Sequence, residues 1–291
     1  MSIKFIIFAT LILIFCNSIE AQKSSNLKID KLLGKVKTVR TERTWTTKSV
    51  ESKRVLMTIE IYDQRGNKTE WNAYMGSDRP LRTSFTYDDK GNVTKQIWYD
   101  SADQPEVNTV YNYNAKGNLV EEFSSNKIHV VFTYDSRNNK KSQQVFDVAE
   151  NEGSRMFGAV EKTVRYSYDK LNRLIQIASY SPNGSRVWNP ELQAHRIIYV
   201  YDDKGQITSQ SVFNDDNILR TKTDYAYDSS GRVVNEILFT GKDRITEVFL
   251  YNYEADTQDN WTVQTKNKQI SLRGKCSYSK VETVYRNIEY Y

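Results

Sequence analysis

A chain of 291 residues with 12% aromatic residues, among them 20 Tyr and 5 Trp, can bury a sizeable core, which excludes a mini-protein and a disordered chain. Its 2 Cys and 2 His are too few for a Cys/His zinc site and leave little for His-based acid–base chemistry. The formal net charge of +5 arises from 41 basic and 36 acidic residues that are interleaved, as on a solvated surface, and not from a nucleic-acid-binding patch.

Residues 1–21 have the features of a secretory signal peptide. Lys4 precedes an apolar run over residues 5–15, and Ala21 is a small residue placed for cleavage before a polar stretch. This run is shorter than the roughly 20 residues needed to span a bilayer, and no later segment is long and apolar enough. We therefore expect export to the periplasm, cell surface or medium, with no transmembrane span in the mature chain. A lipoprotein acylated at Cys16 is the alternative, which the bulky Phe15 disfavours.

A short motif recurs about every 26 residues along most of the chain. Its copies begin at Tyr62, Tyr87, Tyr113, Tyr134, Tyr168, Tyr201 and Tyr227, and a degenerate, longer copy begins at Tyr253. The Asp or Asn after the Tyr can cap a turn, and a Gly or Asn four positions after the Tyr tolerates positive φ. We expect one tight turn at each copy, built by Asp63, Gly66, Asp88, Gly91, Gly117, Asp135, Asp169, Asp202, Gly205, Asp228 and Gly231.

Before each turn, aromatic residues alternate with small or polar ones, as in Phe85-Thr86-Tyr87. An alternation with a period of two residues predicts strands with one aromatic face and one polar, solvent-exposed face, and it excludes helices. A flat sheet would leave the aromatic face in water. We therefore predict an all-β fold, an antiparallel meander of repeated hairpins curled into a barrel, shell or superhelical sheet. The predicted domains are a signal peptide over 1–21, a flexible N-terminal segment over 22–33 and a single repeat β domain over 34–291.

The recurring Tyr-x-Tyr-Asp-x-x-Gly unit resembles the YD repeat of Rhs-type secreted bacterial proteins, over residues 60–265. Relatives of this kind include large shells that enclose toxins, and some of their repeats are suggested to bind carbohydrate. Two copies carry Asn138 and Asn172 in place of Gly, and no toxin-like domain is recognised after the last repeat. The resemblance therefore implies a short form without a toxin domain.

Motifs that would indicate an enzyme or a metal site are not found, including phosphate-binding loops, nucleophile elbows and zinc or calcium signatures. We expect a non-enzymatic binding or structural module of the bacterial cell envelope, without cofactor, metal or catalytic residues. Its expected partner is a polysaccharide or an envelope protein, and not nucleic acid. Two alternatives stay open: a glycoside hydrolase-like, carbohydrate-active enzyme with acids from separate strands, and a carrier or neutraliser of a secreted toxin.

Ligand contacts are expected in the two long insertions between copies, over 149–160 and 181–195. Exposed aromatic rings in such loops can stack on sugars or anchor a protein partner. The predicted ligand-binding residues are Trp188, Phe157 and Arg186. A Trp188 side chain that only covers the end of the sheet is the alternative. In the mature chain Cys276 would be the only cysteine, and with no His nearby it is expected to be a buried or inert thiol.

Overall fold

A computed structural model describes residues 30–74, 76, 78–126, 128–151, 154–272 and 275–291, without the side chains of 147–157 and 271–275. The predicted signal peptide, with Lys4, Cys16 and Ala21, lies outside these residues. The described residues include nineteen strands. They are β1 (Val36–Thr47), β2 (Val50–Glu51), β3 (Val55–Tyr62), β4 (Lys68–Ala73), β5 (Leu81–Tyr87), β6 (Val93–Tyr99), β7 (Pro105–Tyr113), β8 (Leu119–Ser124), β9 (Ile128–Tyr134), β10 (Lys140–Asn151), β11 (Ser154–Tyr168), β12 (Leu174–Tyr180), β13 (Arg196–Tyr201), β14 (Ile207–Phe213), β15 (Leu219–Tyr227), β16 (Val233–Thr240), β17 (Arg244–Ala255), β18 (Trp261–Leu272) and β19 (Lys275–Tyr290).

The described residues form two compact units. The central unit consists of residues 111–232 and 236–246, and the terminal unit of residues 30–110, 233–235 and 247–291. In the central unit, β9 to β15 pair antiparallel in chain order. In the terminal unit, β1 pairs with both β3 and β19. The predicted all-β fold and its antiparallel meander are confirmed.

The turn after each repeat tyrosine is built by the side chain of the next residue. At the first copy, Asp63 Oδ1 accepts hydrogen bonds from the backbone N–H groups of Arg65 and Asn67, both at 2.9 Å. Asp63 Oδ2 accepts one from Asn67 Nδ2 at 3.0 Å. Gly66 has φ of 83°, in the left-handed region that favours glycine. Both carboxylate oxygens are therefore used by the turn itself.

The same arrangement of backbone hydrogen bonds recurs at the later copies, with Asn, Arg or Gln as the last residue of the turn. Arg173 Nε donates to Asp169 Oδ2 at 2.6 Å, and Arg232 Nε donates to Asp228 Oδ2 at 2.7 Å. The positions that carry Asn in place of Gly, 138 and 172, have φ of 70° and 62°. Asn is the residue other than glycine that most readily adopts this conformation. In the longer last copy the turn starts at Asp256, and the additional residues extend β17.

Two further turns of this type connect strands where no motif was predicted. The N–H of Asp100 donates to Gln104 O at 2.9 Å, and Asp100 Oδ1 accepts from the N–H of Gln104 at 2.8 Å. The N–H of Asn214 donates likewise to Ile218 O, and Asn214 Oδ1 accepts from the N–H of Ile218. The first turn follows Tyr99 but has Asp103 where the predicted copies have Gly or Asn, and the second follows Phe213 in place of Tyr, so the motif as defined does not include them.

The repeat tyrosine also joins its hairpin to the preceding one. Its hydroxyl donates to the carbonyl of a residue at the start of the preceding return strand, at 2.6–2.8 Å. The observed pairs are Tyr87 with Lys68, Tyr134 with Leu119, Tyr201 with Leu174, Tyr227 with Ile207 and Tyr253 with Val233. A phenylalanine would bury the same ring without this bond, which explains why the repeat uses tyrosine.

Replacement of Tyr201 by Phe tests this hydrogen bond. We expect Tyr201→Phe to lower the free energy of unfolding by about 1–1.5 kcal/mol, because the Leu174 carbonyl loses its donor while the ring is kept. Tyr199→Phe is the matched control, since within the described chain the Tyr199 hydroxyl has no hydrogen bond. Urea unfolding of both variants measures the difference. Equal losses in the two variants would show that the hydrogen bond from Tyr201 to the Leu174 carbonyl does not contribute.

The face of the sheet that carries the alternating aromatics, here the aromatic face, is more polar than the sequence suggests. Tyr62, Tyr111 and Phe132 are buried there, but so are Gln96 and Thr109. The second face of the sheet, which we call the opposite face, was predicted to be exposed to solvent, and only part of it is. It exposes Thr86 and Val200, yet it buries Ala178 and His129. The prediction of a uniformly wet face was wrong because aromatic and arginine side chains cover parts of it.

One apolar cluster lies in the terminal unit, where the chain enters the sheet. Leu32, Val36, Val39 and Tyr62 are buried together, with Ile288 and Tyr290 packed against them. The backbone N–H of Leu33 donates to Asn260 Oδ1 at 2.7 Å, and Asn260 Nδ2 donates to Leu33 O at 2.8 Å. The described end of the segment predicted to be flexible, residues 30–33, is therefore packed against β1, β3 and the turn before β18.

Candidate functional site

The insertion over 181–195, where ligand contacts were predicted, is a compact loop between β12 and β13. Asn189 holds it and is 1% exposed. Its Nδ2 donates to Ser179 Oγ at 3.1 Å, its backbone N–H donates to Ala194 O at 2.9 Å, and its Oδ1 accepts from the N–H of Glu191 at 3.0 Å. A buried side-chain amide with these partners fixes the position of the flanking residues.

The three predicted ligand-binding residues have different surroundings. Trp188 is 53% exposed, and its ring meets the His195 ring edge-on with 5.5 Å between centroids. Arg186 pairs with Tyr180, and its guanidinium contacts Asn217 Oδ1. Phe157 lies in β11 opposite Val148, and its side chain is outside the described part. The role of the three residues in ligand binding stays a prediction.

Glu122 is an acidic residue on the aromatic face that sequence reasoning missed. It pairs with Val130 across β8 and β9. Burial and the nearby Glu191 carboxylate raise its pKa to about 7, against the opposing effect of Lys140. Glu191 lies in the 181–195 loop, with Oε1 3.9 Å from Lys162 Nζ. The only sequence signal is a carboxylate at a position where the alternation calls for an apolar residue.

Glu121, the adjacent residue, points to the opposite face and has an ordinary ion-pair environment. It accepts a hydrogen bond from Asn112 Nδ2 at 2.7 Å, and its Oε1 lies 2.8 Å from His129 Nε2. The bond from Asn112 and the contact with His129 lower the pKa of Glu121 despite partial burial. The two neighbouring acids therefore titrate in different pH ranges, because alternation places them on different faces.

A second charged group, here the Lys68 cluster, lies in the terminal unit and consists of Asp30, Glu60, Tyr62 and Lys68. Lys68 Nζ is 3.1 Å from Asp30 Oδ2 and 3.0 Å from Glu60 Oε2. The Tyr62 hydroxyl is 2.6 Å from the same two oxygens. The Lys68 side chain is 13% exposed.

Opposite charges keep Glu60 and Lys68 ionised. Burial alone would raise the pKa of Glu60, but the Lys68 ammonium and the Tyr62 hydroxyl outweigh it and lower that pKa. Burial would likewise lower the pKa of Lys68, but Glu60 and Asp30 raise it. The guanidinium of Arg286, stacked 3.6 Å over the Trp261 ring, adds positive charge near Glu60. The residues neutralise one another, so this cluster is suited to joining strands and not to holding a ligand.

A metal site was not predicted, and among the residues with described positions no group of three or more His, Cys, Asp or Glu is arranged to hold an ion. In the same part of the chain, no helix is long and apolar enough to cross a membrane. Cys276 is exposed, and its sulfur accepts a hydrogen bond from Gln269 Nε2 at 3.2 Å. The thiol is not buried, because Cys276 lies near the end of the β18–β19 hairpin, and the alternative expectation that it is inert stays a prediction.

Repeated hairpins, their Asp-capped turns and their tyrosine hydrogen bonds agree with the result of a family comparison. The sequence family described as Teneurin YD-shell matches residues 15–170, more than half of the chain. This chain belongs to the Teneurin YD-shell family. As a YD-shell protein it is a structural repeat module, and the predicted resemblance to YD-repeat proteins is confirmed by the family match.

Solved structures similar to this YD-shell chain share little sequence with it. A porin-like protein from Bacteroides uniformis is 12% identical, with 87% of this chain and 98% of that chain covered and a TM-score of 0.41. The structure of TcdB2-TccC3-TEV is 12% identical, with 83% of this chain and 19% of that chain covered and a TM-score of 0.35. Likenesses of this size carry no conclusion about function. No curated protein matches the chain.

Proposed function

We propose that this YD-shell protein is an exported, non-enzymatic module of the bacterial cell envelope that binds a polysaccharide or an envelope protein. The observation that carries the proposal is the use of the repeat's polar groups. At Asp63 and Asp88 both carboxylate oxygens accept hydrogen bonds within the turn, and five of the repeat tyrosines, Tyr201 among them, donate to backbone carbonyls. Groups committed to the architecture in this way are not available for catalysis, which favours a scaffold that presents loops.

The loop over 181–195 is the part of this scaffold best suited to a partner. Asn189 fixes it, and Trp188 projects from it with half of its surface free. A rigid loop loses little conformational entropy when it binds, and an exposed indole supplies a large contact area. These features support the predicted role of Trp188.

A pull-down from the producer's envelope with tagged residues 22–291 tests the proposal, with both glycans and proteins identified on the resin. We expect specific capture by the native chain and at least fivefold less capture by Trp188→Ala. Leu171→Ala is the matched control, because Leu171 is 72% exposed but lies in a repeat turn. Empty resin with the native chain would refute a stable binder. Equal loss of capture in the two variants would show that Trp188 is not part of the binding surface.

One observation favours the alternative of a carbohydrate-active enzyme. A glycosidase needs a carboxylic acid with a raised pKa near a second carboxylate, and Glu122 beside Glu191 has this character. Release of reducing sugar from envelope polysaccharide separates the two functions. Under our proposal the native chain releases none. A rate that is lost in Glu122→Gln and kept in Glu121→Gln would establish the enzyme instead.

A further inference from the structure

Three arginines lie on the opposite face of the central unit, at or next to positions paired with Ala178 and Tyr180. Arg165 pairs with Ala178, and its guanidinium stacks 4.6 Å from the Tyr180 ring centre. Arg196 pairs with the same Ala178 from the other side. Arg186 is the bridge partner of Tyr180. Because directly paired residues share a face, the three side chains lie together; we call them the arginine patch.

No carboxylate neutralises the arginine patch. Within the described part of the chain, none of its guanidiniums makes an ion pair. Other arginines of the sheet are paired with acids at 2.6–2.9 Å. These paired residues are Arg43 with Glu282, Arg82 with Asp103, Arg173 with Asp169 and Arg232 with Asp228. The patch is therefore a local excess of positive charge and not a general property of the surface.

Arg196 in particular lacks the partners that its burial calls for. Its Nε is buried without a hydrogen-bond partner, while Nη1 donates to Gln176 Oε1 at 3.3 Å and the guanidinium stacks 4.0 Å over Phe213. Burial and the like charge of Arg186 lower its pKa, although Tyr180 acts in the other direction. An unpaired donor beside a like charge is destabilising unless an anion is supplied. Planar guanidiniums bind carboxylates through two parallel hydrogen bonds.

We propose that the arginine patch is a binding site for the carboxylate groups of an acidic, uronate-bearing polysaccharide. This inference rests on the proposed function and narrows its ligand class. Arg186 and Arg196 supply the charge-assisted donors, and Arg165 extends the site along the neighbouring strand. The rings of Tyr180 and Phe213 hold the guanidinium planes in place from beneath. A polymer with a repeated charge gains from several weak contacts along the sheet.

The test uses purified residues 22–291 with polygalacturonate as the probe and neutral dextran as the control polymer. We expect binding of polygalacturonate, with a rise in melting temperature, and no binding of dextran. Arg186→Gln with Arg196→Gln should reduce the affinity at least tenfold and abolish the rise in melting temperature. Lys170→Gln with Lys204→Gln removes the same charge from exposed turn residues and should change the affinity less than twofold.

Two results would overturn the site: no binding by the native chain, or equal losses in the two double variants, which would indicate charge attraction only. If the first double variant does not fold, Arg165→Gln replaces it, because Arg165 is exposed; at least a threefold loss is expected and an unchanged affinity refutes the site. Capture of an envelope partner without binding of polygalacturonate would refute this site and leave the proposed function standing.

Discussion

Replacement of Lys68 by Met is expected to lower the free energy of unfolding by about 3–5 kcal/mol at pH 7. The ammonium bridges Asp30 and Glu60 at 3.1 and 3.0 Å, in a site where the lysine side chain is 13% exposed. Without it, two carboxylates share the Tyr62 hydroxyl in a poorly solvated place with no cation between them. Breaking one side of a buried ion pair leaves the other charge uncompensated, which costs far more than losing a surface pair.

The pH dependence of this loss identifies its electrostatic origin. Lys68 lowers the pKa of Glu60 in the folded state below its value in the unfolded state. In the native chain the Glu60 carboxylate therefore stabilises the fold above the unfolded-state pKa, and this stabilisation is lost as the pH falls through the folded-state pKa. In Lys68→Met we therefore expect the deficit to shrink near pH 4, where the carboxylates can be protonated. Urea unfolding at both pH values measures this. Lys90→Met, at an exposed turn residue of the same unit, is the control and should change stability by less than about 0.5 kcal/mol. A similar loss in both variants would show that the cluster does not contribute.

Replacement of Glu122 by Gln should have the opposite effect and raise the free energy of unfolding by about 2–3 kcal/mol at pH 8. Folding raises the pKa of this carboxyl from an ordinary value of 4.5 to about 7, chiefly through burial and also through Glu191. The protonated Glu122 carboxyl stabilises the native chain in full when the pH is below the unfolded-state pKa. This stabilisation is lost as the pH rises through the folded-state pKa. Gln cannot ionise, so the variant escapes the cost of a buried charge above pH 7.

Unfolding measured from pH 4 to pH 8 checks this expectation. The native chain should lose stability between about pH 4.5 and 7, and Glu122→Gln should give a flatter profile that meets the native one at pH 4. Glu121→Gln is the matched control on the opposite face, where removing the charge takes away an acceptor from Asn112 and His129 and should destabilise the chain. Parallel pH profiles for the native chain and Glu122→Gln would contradict the raised pKa.

The three charged sites, the Lys68 cluster, Glu122 and the arginine patch, differ in what they can contribute to function. The two carboxylates of the Lys68 cluster are balanced by Lys68 and Arg286, and the cluster joins the chain entry to β3 and β4. Glu122 and the arginine patch are not neutralised by ion pairs of the kind that balance the Lys68 cluster in the described fold. Unbalanced charge on a rigid sheet is a feature of binding surfaces more than of structural ones.

The sequence by itself determined the repeat, the turns and the faces of the strands. A carboxylate that accepts N–H bonds two and four residues ahead, as in Asp63 with Arg65 and Asn67, is encoded in adjacent positions. So is the alternation that places Phe85 and Tyr87 on one face. Interactions of this range depend on local geometry alone, and reading them needs no knowledge of which strands are neighbours.

Only the tertiary structure decided which distant side chains meet. Asp30 reaches Lys68, and Arg165 and Arg196 flank Ala178, because strand register and the 181–195 insertion set these contacts. The repeat pattern predicts that hairpins pair in order, but not the register, and a shift of one residue would move every side chain to the other face. Whether a charge is paired or left unbalanced depends on distances and burial set by that register, which explains why Glu122 and the arginine patch emerge from the fold and not from any motif.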